Sequence, residues 1–286
     1  MNFVISVNDN PTYFSFLENV ASFYIELGHR VYVAYVTDED THPWSHLNIE
    51  RVEILPLLDG FDSGIQAKLA RSYLASQLED EGTLFTLMDV DQYLVDFDWL
   101  KYSIKEEYLV DHDLIAVGAN GYRGRPDGID GKFPMCFTTA YPQGFRKLFG
   151  INKGIKFEEF IDKFSIIHNP RDGKESTKHI FNNFSDESLF AWLIRENEIK
   201  CKHIDHPDFI LQRSLRRIDR TVSIMVQMGV PNFNYDFWFQ KKLTPEQKQL
   251  ILDGFFIDMC PARPYEDHKY IIDDIVKTII EKERSL

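Results

Sequence analysis

The chain has 286 residues, 44% of them hydrophobic and 27% charged, a mix that excludes disordered, collagen-like and coiled-coil chains and leaves room for a sizeable core. With 32 Lys and Arg against 45 Asp and Glu the formal net charge is −13, so duplex DNA or an anionic lipid surface would be bound against the field of the whole molecule. Three scattered cysteines, Cys136, Cys201 and Cys260, supply neither a disulfide framework nor a Cys-x-x-Cys metal knuckle. The longest uncharged run, Thr221–Tyr235, contains Gln227, Pro231, Asn232 and Asn234 and is shorter than the roughly 20 apolar residues of a membrane span. Met1–Asp9 lacks the basic stretch that opens a signal peptide. The expectation is a soluble, cytoplasmic protein with no nucleic-acid partner and no membrane span. Its 14% aromatic content reads first as core filler and second as rings for stacking on a sugar or base.

Phe3–Val7 is a short β-branched run, and Asn8-Asp9-Asn10-Pro11 after it is a helix start with an Asx cap and Pro at the first helical position. Phe16, Val20, Phe23, Tyr24 and Leu27 recur at helical spacing until Gly28, and Val31–Val36 then reads as a strand buried on both faces. Strand, helix, strand in this space is a βαβ unit with parallel strands. A third strand is predicted at Val52–Pro56, and a helix capped at Asp62-Ser63 runs through Ile65, Leu69, Tyr73 and Ser76 to about Leu78. Thr83–Met88 is an apolar run suited to a central parallel strand. Leu114–Gly118 and Lys132–Thr139 are further predicted strands, so that the first 140 residues read as one doubly wound sheet.

The rest is less regular. Phe157–Phe164 and Asp186–Asn197 are predicted helices, and His168–Phe184 is a long polar loop of the kind that is usually functional or mobile. Thr244-Pro245-Glu246-Gln247 is a capping box. A last helix from about Tyr265 carries Ile271, Ile272, Ile275, Val276, Ile279 and Ile280 on one stripe and must dock on something. With no repeat or linker in view, residues 1–286 read as one unit.

The chemistry concentrates at Asp89-Val90-Asp91. In an open parallel sheet the ligand lies beyond the carboxyl ends of the strands, and here an apolar strand runs directly into two carboxylates spaced to reach one cation. Asp96-Phe97-Asp98 and Asp111-His112-Asp113 match the same string but follow no buried strand. Lys68 and Arg71, three apart on the preceding helix, are read either as a phosphate contact or as a solvated helix face. Gly118–Arg125 is glycine-rich but is not a P-loop, and reads as a loop over the site. No Gly-x-Gly-x-x-Gly follows the first strand, which counts against a dinucleotide-dependent oxidoreductase.

The order of elements over about residues 1–205, with Thr83–Leu94 as its specific motif, resembles the GT-A class of nucleotide-sugar glycosyltransferases. That resemblance implies an α/β fold with a Rossmann-type, mostly parallel sheet flanked by helices. The nucleotide-sugar-binding half would be about residues 1–140 and an irregular acceptor half about 141–286. It implies Mn²⁺ or Mg²⁺ held by Asp91, with Asp89 as its companion, against the diphosphate of a donor that in this class is most often a UDP-sugar. Asn8, Asp9 and Tyr13 would take the nucleobase and ribose; the alternative for them is helix capping and first-turn packing. Asp186 or Glu187, at the start of a helix, would serve the acceptor hydroxyl as general base; the alternative is favourable placement in the helix dipole. A third metal ligand is expected from His206, or alternatively His268. The implied activity is sugar transfer to a hydroxyl of a glycan or related acceptor. A nucleotidyltransferase acting on a sugar phosphate and a non-catalytic glycan-binding relative are the competing classes. The former should show a Gly-rich basic signature after the first strand, where Asn8-Asp9-Asn10-Pro11 stands.

Overall fold

The computed structural model describes residues 1–117, 135–165, 185–204, 217–227, 229 and 232–286. Strand β1 (Asn2–Asn8) leads through helix α1 (Pro11–Glu26) to β2 (Arg30–Thr37), and β3 (Arg51–Pro56) leads through α2 (Ser63–Gln77) to β4 (Phe85–Leu87). The local signals act as chemistry requires. Asn10 Oδ1 accepts from the Thr12 N–H at 3.0 Å with Pro11 opening α1, and Asp62 Oδ1 accepts from the Ile65 N–H at 3.0 Å at the start of α2. Gly28 ends α1 with φ at 78°, a conformation that costs a residue with a Cβ.

The main sheet adds β6 (Leu114–Val117), β7 (Thr138–Ala140) and β8 (Cys201–Ile204), in the order β3-β2-β1-β4-β7-β6-β8. Every pairing is parallel except those of β7, which runs antiparallel to both β4 and β6. The mostly parallel sheet flanked by helices is thus present, with two differences from the sequence reading. Among the described residues of the strand expected at Lys132–Thr139, the strand is the short Thr138–Ala140 and is reversed, and the sheet does not end near residue 140, since Cys201–Ile204 supplies its edge.

Side chains alternate across the sheet. Phe3, Ile5 and Val7 of β1 join Val31, Val33 and Tyr35 of β2 under α1, while Val4, Ala34 and Val36 face α2 on the other side. Burial on both faces is why these strands read as unbroken apolar runs. The C-terminal helix α9 (Tyr265–Ser285) buries Ile271, Ile272, Ile275 and Ile279 completely and lies beside α1. The opposite face is covered by α2, α4 (Pro142–Phe149), α5 (Phe157–Ser165) and α6 (Ser185–Glu196). The other α-helices among the described residues are α3 (Phe97–Ser103), α7 (Ile218–Gln227) and α8 (Pro245–Leu252). The capping box at Thr244 is made in both directions, Gln247 N–H to Thr244 Oγ1 at 3.3 Å and Thr244 N–H to Gln247 Oε1 at 2.9 Å.

A second, two-stranded sheet pairs β5 (Tyr93–Leu94) antiparallel with β9 (Asp258–Met259). It fastens the chain just after Asp91 to the segment that precedes α9. The loops read at Gly118–Arg125 and His168–Phe184 lie outside the described residues. No helix among the described residues is long and apolar enough to cross a membrane.

Candidate active site

From β1 the chain steps outward to β2 and β3, then returns through α2 to place β4 on the other side of β1. The order reverses between β1 and β4, and in open α/β sheets the crevice at such a reversal, beyond the carboxyl ends of the strands, is where ligands bind. Asn8-Asp9-Asn10 leaves β1 there, and Asp89-Val90-Asp91 leaves β4 there.

Each acidic group at this crevice is held by a defined partner. Arg71, on α2, is 3% exposed; one of its guanidinium nitrogens donates to the Met88 carbonyl at 2.7 Å and to Asp89 Oδ1. A buried guanidinium is costly unless its donors are used, and here the cost is offset by aiming the Asp89 carboxylate. The Cys136 thiol donates to the other oxygen, Asp89 Oδ2, at 2.6 Å. The Asp89 side chain nevertheless keeps 40% of its surface open. Desolvation pushes its carboxyl up, but the Arg71 charge, the Cys136 thiol and Arg263 outweigh that, and it titrates below the ordinary carboxylate range.

Asp91 is more enclosed, its side chain 4% exposed. Arg263 Nε donates to Asp91 Oδ2 at 2.5 Å, and Nη2 reaches the same oxygen. Burial first and the Asp89 charge second push the Asp91 carboxyl up, against the pull of Arg263, and it stays above its ordinary value. Between the two acids Val90 is buried in the core beneath the loop. Behind them Gln92 Nε2 donates to the buried Asp258 Oδ2 at 3.0 Å, and Arg217 stands 3.9 Å from Asp258 Oδ1 while pairing with Asp219 at 3.0 Å. The Tyr24 hydroxyl donates to the Gln92 carbonyl at 3.0 Å and accepts from the Leu94 N–H at 3.2 Å. The loop is therefore rigidly supported from α1 and from the C-terminal segment.

On the β1 side Asn8 is buried and Asp9 reaches back to β2, accepting from the Thr37 hydroxyl at 2.7 Å and from the Tyr35 hydroxyl. Asn10, not Asp9, caps α1. Tyr13 lies partly buried with the Arg263 guanidinium 4.8 Å from its ring centroid, and its hydroxyl accepts from Arg263 Nη1 at 3.1 Å. Arg263 thus joins the Asp-x-Asp loop to the first turn of α1.

The remaining sequence-predicted residues divide. Lys68 is exposed while Arg71 is buried, so the pair does not form one basic face. His268 is buried, donates from Nδ1 to the Trp238 carbonyl at 3.0 Å and packs edge-on against Phe239. His206 lies outside the described residues, and of Asp186 and Glu187 the structure describes the backbone, in the first turn of α6. The two other acidic strings have ordinary duties. Asp96 caps α3 through the Trp99 N–H at 3.0 Å, and Asp113 pairs with Lys147 at 2.7 Å and the Lys200 N–H at 2.9 Å. Sequence reasoning missed Arg263, Cys136, Tyr35 and Thr37, none of which sits in a motif.

Two carboxylates offer the oxygen donors that a hard divalent cation takes, and such ions are commonly held by one or two carboxylates completed by substrate phosphates and water. The donor set at Asp89 and Asp91 fits that pattern. Among the described residues no cluster of three His, Cys, Asp or Glu side chains is disposed to hold a metal by protein ligands alone.

Among solved structures the chain is similar to the galactosyltransferase LgtC in complex with donor and acceptor sugar analogs, at 12% identity and a TM-score of 0.47 over 100% of this chain and 96% of that one. An active-site mutant of LgtC gives 12% identity and 0.48 over the same shares. The glycosyltransferase GlyE of Streptococcus pneumoniae TIGR4 gives 11% and 0.45 over 99% of this chain and 63% of that one. All three are glycosyltransferases, the class the sequence resembles. No protein-family model and no curated protein matches the chain. Likeness at this level decides nothing about chemistry; the crevice residues must.

Proposed function

We propose that the chain is a metal-dependent glycosyltransferase that moves a sugar from a nucleoside diphosphate, UDP in the first instance, to a hydroxyl of a glycan or related acceptor. The observation that carries this reading is the pair Asp89 and Asp91 at the strand-order reversal, one carboxylate aimed by the buried Arg71 and the other joined through Arg263 to Tyr13 in the first turn of α1. Asp91 and Asp89 would hold Mn²⁺ or Mg²⁺, with His206 as a further ligand. Bound there, the cation supplies positive charge that stabilises the departing diphosphate. Asp9, which accepts from the Tyr35 and Thr37 hydroxyls, would accept from ribose or base, and Tyr13 would offer its ring. Transfer breaks the bond between the anomeric carbon and the phosphate oxygen, the electron pair staying on the diphosphate. The acceptor oxygen bonds to that carbon and its proton passes to a carboxylate, a role for Asp186 or Glu187 at the start of α6.

The test is release of free UDP from a panel of UDP-sugars with Mn²⁺, since slow hydrolysis to water needs no known acceptor. UDP release that disappears in Asp91→Ala, with the melting temperature kept, is the expected result. Pyrophosphate release from a nucleoside triphosphate and a sugar phosphate would instead identify a nucleotidyltransferase. No turnover and no nucleotide binding would overturn both.

A further inference from the structure

Arg263 stands where the two sides of the crevice meet. Through Nε and Nη2 it engages Asp91 Oδ2, and through Nη1 and the face of its guanidinium it engages the hydroxyl and ring of Tyr13. Its side chain is 41% exposed whereas that of Asp91 is 4% exposed. The acid is therefore fixed in the wall and the arginine is the partner with room to leave. A guanidinium on Asp91 gives that carboxylate the positive charge a divalent cation would otherwise give it, and two cations at contact distance from one oxygen repel each other. The same guanidinium covers a face of the Tyr13 ring, the surface on which a base would stack. One side chain thus obstructs both the metal side and the base side of the site.

From this arrangement, and resting on the function proposed above, we infer that Arg263 is an internal cation latch that holds the donor site closed until divalent metal and nucleoside displace it together. Moving Arg263 costs free energy once, and whichever ligand arrives second finds the displacement already made. Linkage then requires each ligand to raise the affinity of the other by the same factor. The coupling extends to a nucleoside that carries no phosphate, which has no group to bridge to the metal. Coordination of a diphosphate alone predicts no such effect.

The experiment titrates Mn²⁺ by calorimetry into the full chain and into Arg263→Gln, each alone, with saturating uridine and with UDP. Without nucleoside, Arg263→Gln is expected to bind Mn²⁺ at least about 5-fold more tightly than wild type, the lower end of ordinary coupling between sites. Uridine should tighten Mn²⁺ binding in wild type and leave it unchanged in the variant. Arg263→Lys keeps the charge but loses the fork, and should lie between the two on both measures; it carries the test if Arg263→Gln fails to fold. Mn²⁺ affinity that is equal or weaker in both variants, or a uridine effect of undiminished size in them, overturns the latch. Wild type that binds no Mn²⁺ even with UDP present overturns the proposed function itself.

Discussion

At the scale of single residues the least ordinary feature is a buried arginine that serves a partly open acid. Replacing Arg71 by Met keeps its volume and removes its charge, leaving the Met88 carbonyl without the donor it has at 2.7 Å and Asp89 without its nearest cation. A stranded buried polar group costs about 1–3 kcal/mol. Asp89 is open enough for water to replace part of the lost pairing, so the loss should fall in the lower half of that range. Denaturant unfolding of Arg71→Met measures it, and donor binding should weaken in parallel because Asp89 is no longer aimed. Unchanged stability together with unchanged UDP affinity would show that Arg71 only fills space. The sequence made Asp89 and Asp91 legible because an apolar strand ends in them. It could not show Arg263, which lies 172 residues from Asp91, because no local pattern records a contact made by folding.

At the scale of elements, what could be read were the strands with an unbroken apolar run and the helices with an apolar stripe, the C-terminal one included although no side chain caps it. What could not be read were the short pieces. β5 and β9 are two residues each, too few for any periodicity, and Cys201-Lys202-His203-Ile204 sits at a sheet edge with mixed polarity. Helix α4 was hidden differently. It has Pro142 at its first position and Gly150 closing it at φ 57°, but Gly144 inside it weakens the helical signal. The structure explains that glycine: a Cβ at position 144 would stand 2.4 Å from the Asp113 carbonyl oxygen and 3.0 Å from the Ala140 Cβ. Gly144→Ala would gain up to about 1 kcal/mol of helix propensity. Against it stands a clash with a backbone atom that has no flexible end to swing away, and overpacking of this kind costs about 1–3 kcal/mol. The clash should win, so a thermal melt is expected to show a destabilised protein. A higher melting temperature for Gly144→Ala would mean that α4 shifts away from β6 at little cost.

At the scale of the whole molecule, the two faces of the sheet close separately, and His29 sits where one of them meets the N-terminal edge. Its ring stacks on Phe97 at 4.8 Å and lies edge-on to Phe3 at 5.5 Å, so it joins the turn after α1, strand β1 and helix α3. Burial in this aromatic setting lowers its pKa from 6.5 to about 4. The unfolded chain therefore takes up a proton that the folded chain refuses. A histidine depressed in this way gives stability that is fully present above pH 6.5 and is lost as pH falls from there to about 4, below which it changes no further. The ring is partly open to solvent, so the loss is discounted to about 1–2 kcal/mol. Many carboxylates titrate at the lower end of the same window, so the absolute pH dependence of wild type cannot isolate the effect. The difference between wild type and His29→Leu can, because the other groups are common to both. Denaturant midpoints measured across the window should show wild type losing stability faster than His29→Leu as the solution is acidified. Parallel curves would mean that the imidazolium finds water or an acid within the folded state, and that acid lability originates elsewhere in the chain.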